Sequence, residues 1–220
     1  MATSPLLEGI PDELAEQLRR AAGVRTYRAN QTIVYEEDPA DQFLLLVEGR
    51  VRVWRTSTRG TAMTVHMLGP GGMPGCVAAF RQIPYPATVT ALTDVRALSW
   101  PAERMRELMT AHPALASNFV HIVAERNQEM LQRLHEVSTL PVAQRVARAL
   151  LRLADEEPEV DGAVQVALSR QDLAELTATT LHTVSRLVSR WERDGIVAAG
   201  RKRVRILDHA RLVAEGEAAE

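Results

Sequence analysis

The chain has 220 residues, of which 46% are hydrophobic and 25% charged, and its formal net charge is −2 at pH 7. This composition is ordinary for a folded protein with room for two domains, and it excludes a chain that is disordered throughout. The single cysteine, Cys76, excludes an intrachain disulfide framework and a four-thiolate iron–sulfur cluster within one chain. Because no apolar run is long enough to span a bilayer and the N-terminus lacks a signal-peptide pattern, we expect a cytoplasmic protein with no membrane partner.

Short apolar runs with turn residues between them fill residues 24–100. The runs are residues 32–35, 43–47, 51–54, 63–68, 87–91 and 95–100. Several short strands at this spacing, separated by Gly and Pro, are typical of an antiparallel sandwich or barrel. Gly49 is expected in a tight turn between two strands, because glycine adopts a positive φ without steric cost. Residues 1–111 are therefore predicted to form an N-terminal antiparallel β-roll.

Helical periodicity begins after Pro101. Residues 102–110 are predicted to form a short helix, and Pro113 suits the first turn of a longer helix that continues to about Val137. One stripe of the longer helix is apolar and comprises Leu115, Phe119, Ile122, Met130, Leu134 and Val137, with Val123 and Leu131 beside it.

This stripe is long enough for the helix to pair with its copy, so residues 112–138 are predicted to form the dimerisation helix of a homodimer. The predicted contacts are Phe119, Ile122, Val123, Arg126, Met130, Leu134 and Val137. A helix that faces the core of its own domain is the alternative. Arg126 interrupts the stripe and supports that alternative.

A domain hinge is predicted at residues 138–141, where Pro141 breaks the helical pattern. Residues 142–153 are predicted to form a further helix. Ser169, with Asp172 three residues later, has the spacing of a helix cap, and the short helix that follows carries Leu173, Ala174 and Leu176. After a turn at residues 177–180, Thr180 can cap a second helix whose buried face comprises Val184, Leu187, Val188 and Trp191.

Residues 196–207 have the pattern of a β-hairpin with Gly200 in its turn. Two short helices with small residues where they cross, followed by a hairpin, form a winged helix-turn-helix, which we predict for residues 139–220. Between Ser169 and Arg211, nine Lys or Arg and five Asp or Glu leave a local charge of +4 (9 − 5). Contacts to DNA phosphates require such an excess, whereas the alternative is a helical subdomain with a solvated basic face.

This organisation resembles the CRP/FNR superfamily of bacterial transcription regulators over residues 7–213. The resemblance is carried by segments 173–180 and 183–186 of the two-helix unit and by residues 69–71 of the sandwich. It implies an α+β fold with a β-roll like that of cyclic-nucleotide-binding domains. It also implies a homodimer that reads a palindromic site in adjacent major grooves, acts as an activator and has RNA polymerase as a partner.

DNA-contacting roles follow from this resemblance residue by residue. Arg186 matches the arginine that contacts a guanine, whose O6 and N7 suit its planar fork, and Ser185 matches a serine that contacts the neighbouring base. His182 stands where the family often has a glutamate, so the half-site is expected to differ there. Contacts to the DNA backbone are predicted for Arg170, Gln171, Thr180 and Thr183, and Arg190 is a further predicted DNA-binding residue. The wing supplies Arg201, Lys202 and Arg203, for each of which a solvated charge is the alternative.

The sensor half departs from the cyclic-nucleotide-binding members of the family. The resemblance places Cys76, Tyr85 and Pro86 where those members have a glutamate for the ribose and an Arg-Ser pair for the cyclic phosphate. Met130 and Leu131 replace their hydroxyls for the purine, so cAMP is disfavoured as the effector. The remaining candidate effector pocket is apolar and comprises Met73, Cys76, Val77, Phe80, Tyr85, Met130 and Leu131.

Haem is a candidate cofactor, because segments 85–91 and 181–186 look like the subgroup tied to nitric oxide and denitrification control. Its candidate ligands are Cys76, His66, Met130 and His121. An effector-independent regulator and another small ligand stay open as alternatives.

A β-roll metalloenzyme is disfavoured, because His66 is the only histidine of the predicted sandwich and no catalytic motif occurs. A sensor that regulates a partner protein is disfavoured by the basic winged helix.

In the predicted mechanism, effector binding shifts the population between two arrangements of the sensor domain and the long helix. Movement near Leu140 and Pro141 then sets the spacing of the recognition helices, which must lie about 34 Å apart on DNA.

Overall fold

The structure is a computed structural model and describes residues 4–56, 60, 62–155, 157, 159–160 and 162–217. The chain divides into two compact units, one formed by Met1–Thr56 and Val65–Met130 and the other by Ser57–Thr64 and Leu131–Glu220. The sequence-based domain limits, after residues 111 and 138, stay predictions.

The N-terminal part of the chain begins with a 3-10 turn at Pro5–Leu7 and ends with a long helix. Its strands are β1 (Gly23–Tyr27), β2 (Thr32–Val34), β3 (Gln42–Glu48), β4 (Val51–Thr56), β5 (Ala62–Leu68), β6 (Thr88–Ala91) and β7 (Val95–Pro101). Its helices are α1 (Asp12–Ala21), α2 (Cys76–Arg81), α3 (Ala102–Ala111) and α4 (Pro113–Thr139). None of the described helices of the chain is both long and apolar enough to cross a membrane.

The strands form two antiparallel sheets, with the orders β1-β7-β3 and β2-β6-β4-β5. The predicted turn at Gly49 is confirmed, with a φ of +83°. A Cβ at this position would lie 2.1 Å from the carbonyl oxygen of Asp94, so no residue with a side chain fits without moving the backbone.

The larger core of the first unit joins the sheets to the helices. Trp100 at the end of β7 is 1% exposed, and its indole nitrogen donates to the carbonyl of Leu18 in α1 at 2.8 Å. Phe119 of α4 meets Phe43 of β3 edge to face, with ring centroids 5.9 Å apart. The first turns of α4 are therefore anchored in this core.

The C-terminal part contains the predicted winged helix-turn-helix. Its helices are α5 (Val142–Ala154), α6 (Arg170–Leu176), α7 (Leu181–Arg193) and α8 (His209–Glu217). Its strands, in the order β10-β11-β9-β8, are β8 (Glu159–Val160), β9 (Ala163–Val166), β10 (Val197–Gly200) and β11 (Arg203–Ile206). The predicted α+β class is thus confirmed.

The predicted hinge is shorter than expected, because α4 continues to Thr139. Ser138 and Thr139 are helical, and their hydroxyl groups donate to the carbonyls of Leu134 and His135, one turn earlier, at 2.8 Å each. The break lies at Leu140 and Pro141. Next to it, the guanidinium of Arg152 in α5 donates to both carboxylate oxygens of the buried Glu136, at 2.6 and 3.0 Å, so the end of α4 is tied to α5.

Candidate nucleic-acid interface and effector site

Both helices of the helix-turn-helix begin at the residues that the sequence predicts. Ser169 accepts from the backbone N–H of Asp172 at 3.1 Å, and the Asp172 carboxylate accepts from the backbone N–H of Ser169 at 2.9 Å. Thr180 accepts from the backbone N–H of Thr183 at 3.2 Å. These caps satisfy N–H groups that a helix N-terminus leaves unpaired, so they fix where α6 and α7 start.

The turn between α6 and α7 contains a residue in the left-handed region. Ala174, in the middle of α6, is 1% exposed, as expected for a small residue where two helices cross closely. Ala178 has a φ of +51°, a conformation that favours glycine because the methyl group crowds the backbone. The turn is therefore built with a strained alanine.

Replacing Ala178 with glycine is expected to raise the free energy of unfolding of the second unit by about 0.5–1 kcal/mol. The left-handed strain of about 1–2 kcal/mol is relieved, and the greater backbone entropy of glycine in the unfolded chain offsets part of the gain. Urea unfolding of the full chain measures the change. The matched control is Ala214→Gly, at an exposed position of α8 without a positive φ, which should lower stability instead. A loss of stability in Ala178→Gly would contradict the assignment of strain.

The predicted base-reading residues lie on α7, and their side chains are accessible to solvent. Arg186 and His182 are exposed, and Ser185 is partly exposed. Within the described part of the chain, the Arg186 guanidinium has no recorded hydrogen-bond or ion-pair partner. Its five N–H donors are thus open to an external acceptor. Thr183, near the start of the same helix, has its hydroxyl 3.0 Å from that of Thr180.

Three of the predicted DNA-binding residues have carboxylate partners within the second unit. Arg170 donates to Glu192 at 3.0 Å, and Gln171 donates to Glu175 at 2.9 Å. Arg190 of α7 forms an ion pair with Glu215 of α8. The sequence did not single out these carboxylates. Glu175 is four residues after Gln171 on one helix, so that pair was within reach of a spacing argument, whereas the other two pairs join different elements.

The wing has a two-residue turn, and the predicted place of Gly200 needs correction. Gly200 pairs with Arg203 in the β10–β11 ladder, so it ends a strand, and the turn consists of Arg201 and Lys202. Lys202 has a φ of +57°. Arg201, Lys202 and Arg203 are all exposed, which gives the wing three consecutive cations at its tip.

The seven residues of the predicted effector pocket divide between core and surface. Met73, Cys76 and Tyr85 belong to the larger apolar core of the first unit, with 3–8% of their surface exposed. The other four lie at the surface with exposed fractions of 43–57%: Val77, Phe80, Met130 and Leu131. Leu131 belongs to the second unit. Spacing along the chain did not indicate this division, because it depends on tertiary packing.

An aromatic ring covers the start of α2. Gly75 has a φ of +68°, and a Cβ there would lie 2.4 Å from a ring carbon of Tyr85. The Tyr85 hydroxyl donates to the carbonyl of Gln42 at 3.1 Å, and burial raises its pKa to about 12. The residue at the family's arginine position is therefore a neutral, packed phenol rather than a cation for a phosphate.

The structure places the four candidate haem ligands in different surroundings, and haem binding stays a prediction. Burial raises the pKa of the Cys76 thiol to about 11, so it stays protonated near neutral pH. His66 has its Nε2 atom 2.8 Å from Arg126 Nη1 and 3.1 Å from Glu129 Oε2. His121 and Met130 are exposed on α4, and His121 faces Glu125 at 3.2 Å. Among the described residues, no group of three or more His, Cys, Asp or Glu could hold a metal ion.

The cluster of His66, Arg126 and Glu129 gives the first unit an acid-sensitive contact. The hydrogen bond from His66, together with Arg126, lowers the pKa of Glu129 from its ordinary value of 4.5 to about 2. A depressed carboxyl pKa stabilises the folded state above the unfolded pKa, and this stabilisation disappears as the pH falls toward the folded pKa.

We therefore expect Glu129→Gln to flatten the loss of stability between about pH 5 and about pH 2. Urea unfolding across that range, followed by fluorescence, measures it. Glu125→Gln, one turn earlier, is the matched control, because it removes an exposed carboxylate that also faces a histidine, and it should flatten the slope less than Glu129→Gln does. Parallel curves for wild type and Glu129→Gln would contradict the role of this carboxylate.

The apolar stripe predicted on α4 also divides in two. Phe119 and Ile122 are 6% and 5% exposed and lie in the core of their own unit, so they have little surface left for a partner. Val123 is partly buried, and Arg126 is paired with Glu129 at 2.9 Å. The exposed large apolar residues of α4 are Val120, Met130, Leu131, Leu134 and Val137. The predicted stripe omits Val120.

Comparison with known proteins matches both halves of the chain. Residues 24–112 match the cyclic nucleotide-binding domain family, and residues 144–215 match the Crp-like helix-turn-helix domain family. The cyclic AMP receptor protein of Thermus thermophilus is 28% identical over 212 residues, which are 96% of this chain and 96% of that protein. The transcriptional activator protein FnrL of Cereibacter sphaeroides is 27% identical over 216 residues, covering 93% of this chain and 84% of that protein.

The structure of FixK2 from Bradyrhizobium japonicum has the same fold. The two structures align with a TM-score of 0.77 and 22% sequence identity, and the alignment covers 90% of this chain and 99% of the FixK2 chain. This chain contains both matched domains, and relatives that align with most of it are named as transcription regulators, among them FnrL and the transcriptional regulator SdrP of Thermus thermophilus. The chain therefore belongs to the CRP/FNR family of transcription regulators.

Proposed function

We propose that this CRP/FNR-type regulator binds a palindromic DNA site as a homodimer and that α7 of each protomer enters the major groove. Arg186 carries the proposal, because it is an exposed guanidinium on a capped helix without an internal partner in the described residues. Its planar fork matches the O6 and N7 acceptors of guanine, and Ser185 and His182 lie beside it toward the helix start.

Contacts to the DNA backbone would hold α7 in register. The capping residue Thr180 and Thr183, whose backbone N–H donates to it, lie at the N-terminus of α7, where N–H groups and the helix dipole favour a phosphate. The wing cations Arg201, Lys202 and Arg203 would reach phosphates beside the groove. Arg170 and Gln171 at the start of α6 would add further phosphate contacts.

Dimerisation would use the exposed apolar residues of α4. Leu131, Leu134 and Val137 recur at helical spacing of three and lie 40–64% exposed in the single chain. Contiguous apolar surface on a soluble protein marks an interaction site. A second copy of the chain fits this surface, because a palindromic site requires two recognition helices related by twofold symmetry.

Selection from duplexes with random symmetric half-sites tests this proposal. The selected duplex should bind about a thousandfold more tightly than random duplex at fixed salt, with two protomers per site. Fixed salt is needed, because phosphate contacts alone vary steeply with ionic strength. Equal affinity for the selected and random duplexes would overturn the proposal.

Control of DNA binding is the second part of the proposal. Tyr85 is packed in the core with its hydroxyl bonded to Gln42, so it offers no cation for a cyclic phosphate, and Cys76 is buried among apolar side chains. Both features favour a regulator whose DNA binding depends on neither cAMP nor haem. Operator affinity should therefore be unchanged when either compound is added, and the absorption spectrum should show no bound haem. A Soret band that shifts with nitric oxide or carbon monoxide would instead establish haem-based control in the β-roll.

We further propose that the bound dimer activates transcription through RNA polymerase. The relative FnrL is named a transcriptional activator, and it aligns with 93% of this chain. Transcription in vitro from a promoter that carries the selected duplex tests this step. Transcript levels that fall when the protein is added would indicate a repressor instead.

A further inference from the structure

Glu192 joins three elements of the second unit through one carboxylate. It lies in the last turn of α7, and its Oε2 atom accepts from Nη2 of Arg170 at 3.0 Å. Its Oε1 atom accepts from the backbone N–H of Ala199 in β10 at 2.9 Å. Both ionic side chains of this bridge are about one-third exposed, at 32% and 33%. The carboxylate therefore connects the start of α6, the end of α7 and the wing.

The contact to β10 fixes the wing close to its basic tip. Within the described residues, β10 is the outer strand of its sheet and pairs only with β11. Ala199 lies two residues before the turn formed by Arg201 and Lys202. The N–H group of Ala199 donates to a charged carboxylate of α7. This bond holds the outer strand β10 against α7, in addition to the ladder hydrogen bonds that join β10 to β11.

The contact to Arg170 restricts a long side chain that is predicted to contact the DNA backbone. A free arginine loses rotamer entropy when a phosphate orders it, and prior ordering reduces that loss on binding. One N–H group of Arg170 is used by Glu192, and the guanidinium has further donors for a phosphate. A negative charge beside a DNA-binding surface also weakens attraction to any duplex, whatever its sequence.

We infer that Glu192 is a positioning residue of the DNA interface, which holds Arg170 and the wing in place relative to α7 and so raises the preference for the operator over random DNA. This inference rests on the proposed function. It makes a two-sided prediction, because loss of the carboxylate should weaken specific binding while its lost charge strengthens non-specific binding. A residue that only stabilises the fold would not change the two affinities in opposite directions.

The test compares three variants of the full chain at fixed salt on the selected and random duplexes. Glu192→Gln should lower the specific-to-random ratio by about tenfold and raise affinity for random duplex about twofold. Glu192→Asp keeps the charge but shortens the reach, so it should lower the ratio without raising random binding. Asp194→Asn is the matched control, because Asp194 is exposed two residues later and its carboxylate has no recorded partner among the described residues.

Asp194→Asn should raise both affinities and leave the ratio as in wild type. The inference would be overturned if the ratio of selected-duplex to random-duplex affinity were unchanged in both Glu192 variants, or if Asp194→Asn lowered that ratio as much as the Glu192 variants do. Either result would leave the proposed function intact. A wild-type protein without preference for any selected duplex would overturn the proposed function and this inference with it. A circular dichroism spectrum equal to that of wild type shows that a variant is folded, and Glu192→Asp keeps the test decisive if Glu192→Gln unfolds.

Discussion

Replacing Arg186 with alanine is expected to lower affinity for the operator by at least about 30-fold, and to lower affinity for random duplex only about twofold through the lost charge. One bidentate contact to a guanine contributes about 1–3 kcal/mol of discrimination, and a homodimer makes it twice. The combined loss of about 2–6 kcal/mol corresponds to roughly 30-fold to more than 10⁴-fold in the dissociation constant. Titration of both duplexes at the same salt concentration measures it.

The fold should survive this change. Arg186 is exposed, and within the described residues its side chain makes no recorded contact that alanine would remove. Stability is therefore expected to stay within about 0.5 kcal/mol of wild type. A loss of operator binding can then be assigned to the missing guanidinium rather than to unfolding.

Arg186→Lys separates the planar fork from the charge. Lysine keeps the positive charge, so binding to random duplex should equal that of wild type. It offers a single ammonium instead of two parallel donors, so part of the specific affinity should still be lost. If Arg186→Ala kept the wild-type ratio between operator and random duplex, α7 would not read the site through this residue.

The helix-turn-helix could be predicted because its signals are local. The cap at Ser169 depends on residues three apart, and the cap at Thr180 does likewise, so each is visible in the sequence. The same kind of signal marks α1, where Pro11 precedes Asp12 and Glu13, and Leu14 and Leu18 form its buried face, four residues apart. That helix lies before residue 24 and was not predicted, although its sequence supports it.

Other elements gave little local signal. The strand β1 has four exposed residues in a row, so it lacks the alternation that marks a half-buried strand. The helix α2 has six residues, fewer than two full turns, and it is bounded by Gly75 and Gln82, both in the left-handed region. A period of 3.6 residues cannot be recognised over so short a segment.

The parts of the site that depend on tertiary contacts were beyond sequence reasoning. Spacing placed Phe119 and Leu134 on one stripe of α4, but it could not tell which of them the chain itself covers. The structure buries Phe119 against Phe43 and leaves Leu134 64% exposed. Glu192 gave no signal either, because its partners Arg170 and Ala199 are 22 and seven residues away.

This division of the stripe predicts that Leu134→Glu converts the dimer into a monomer and lowers operator affinity at least about a hundredfold. A twofold interface places two new carboxylates in one apolar contact, and burying an unpaired charge costs several kcal/mol. A monomer reads one half-site and loses the contacts to the other. Sedimentation or light scattering measures the mass, and duplex titration measures the affinity.

The single chain should tolerate this substitution, which makes the result interpretable. Leu134 is 64% exposed, so glutamate can remain in water at that position in a monomer, and the thermal stability of the second unit should not fall through lost core packing. Val24→Glu is the matched control, because Val24 is 62% exposed and lies on a different element, the edge strand β1. The control should stay dimeric with wild-type operator affinity. A Leu134→Glu protein with the mass and operator affinity of wild type would show that the two copies meet elsewhere, because the exposed half of the α4 stripe could not then be the surface that pairs the recognition helices.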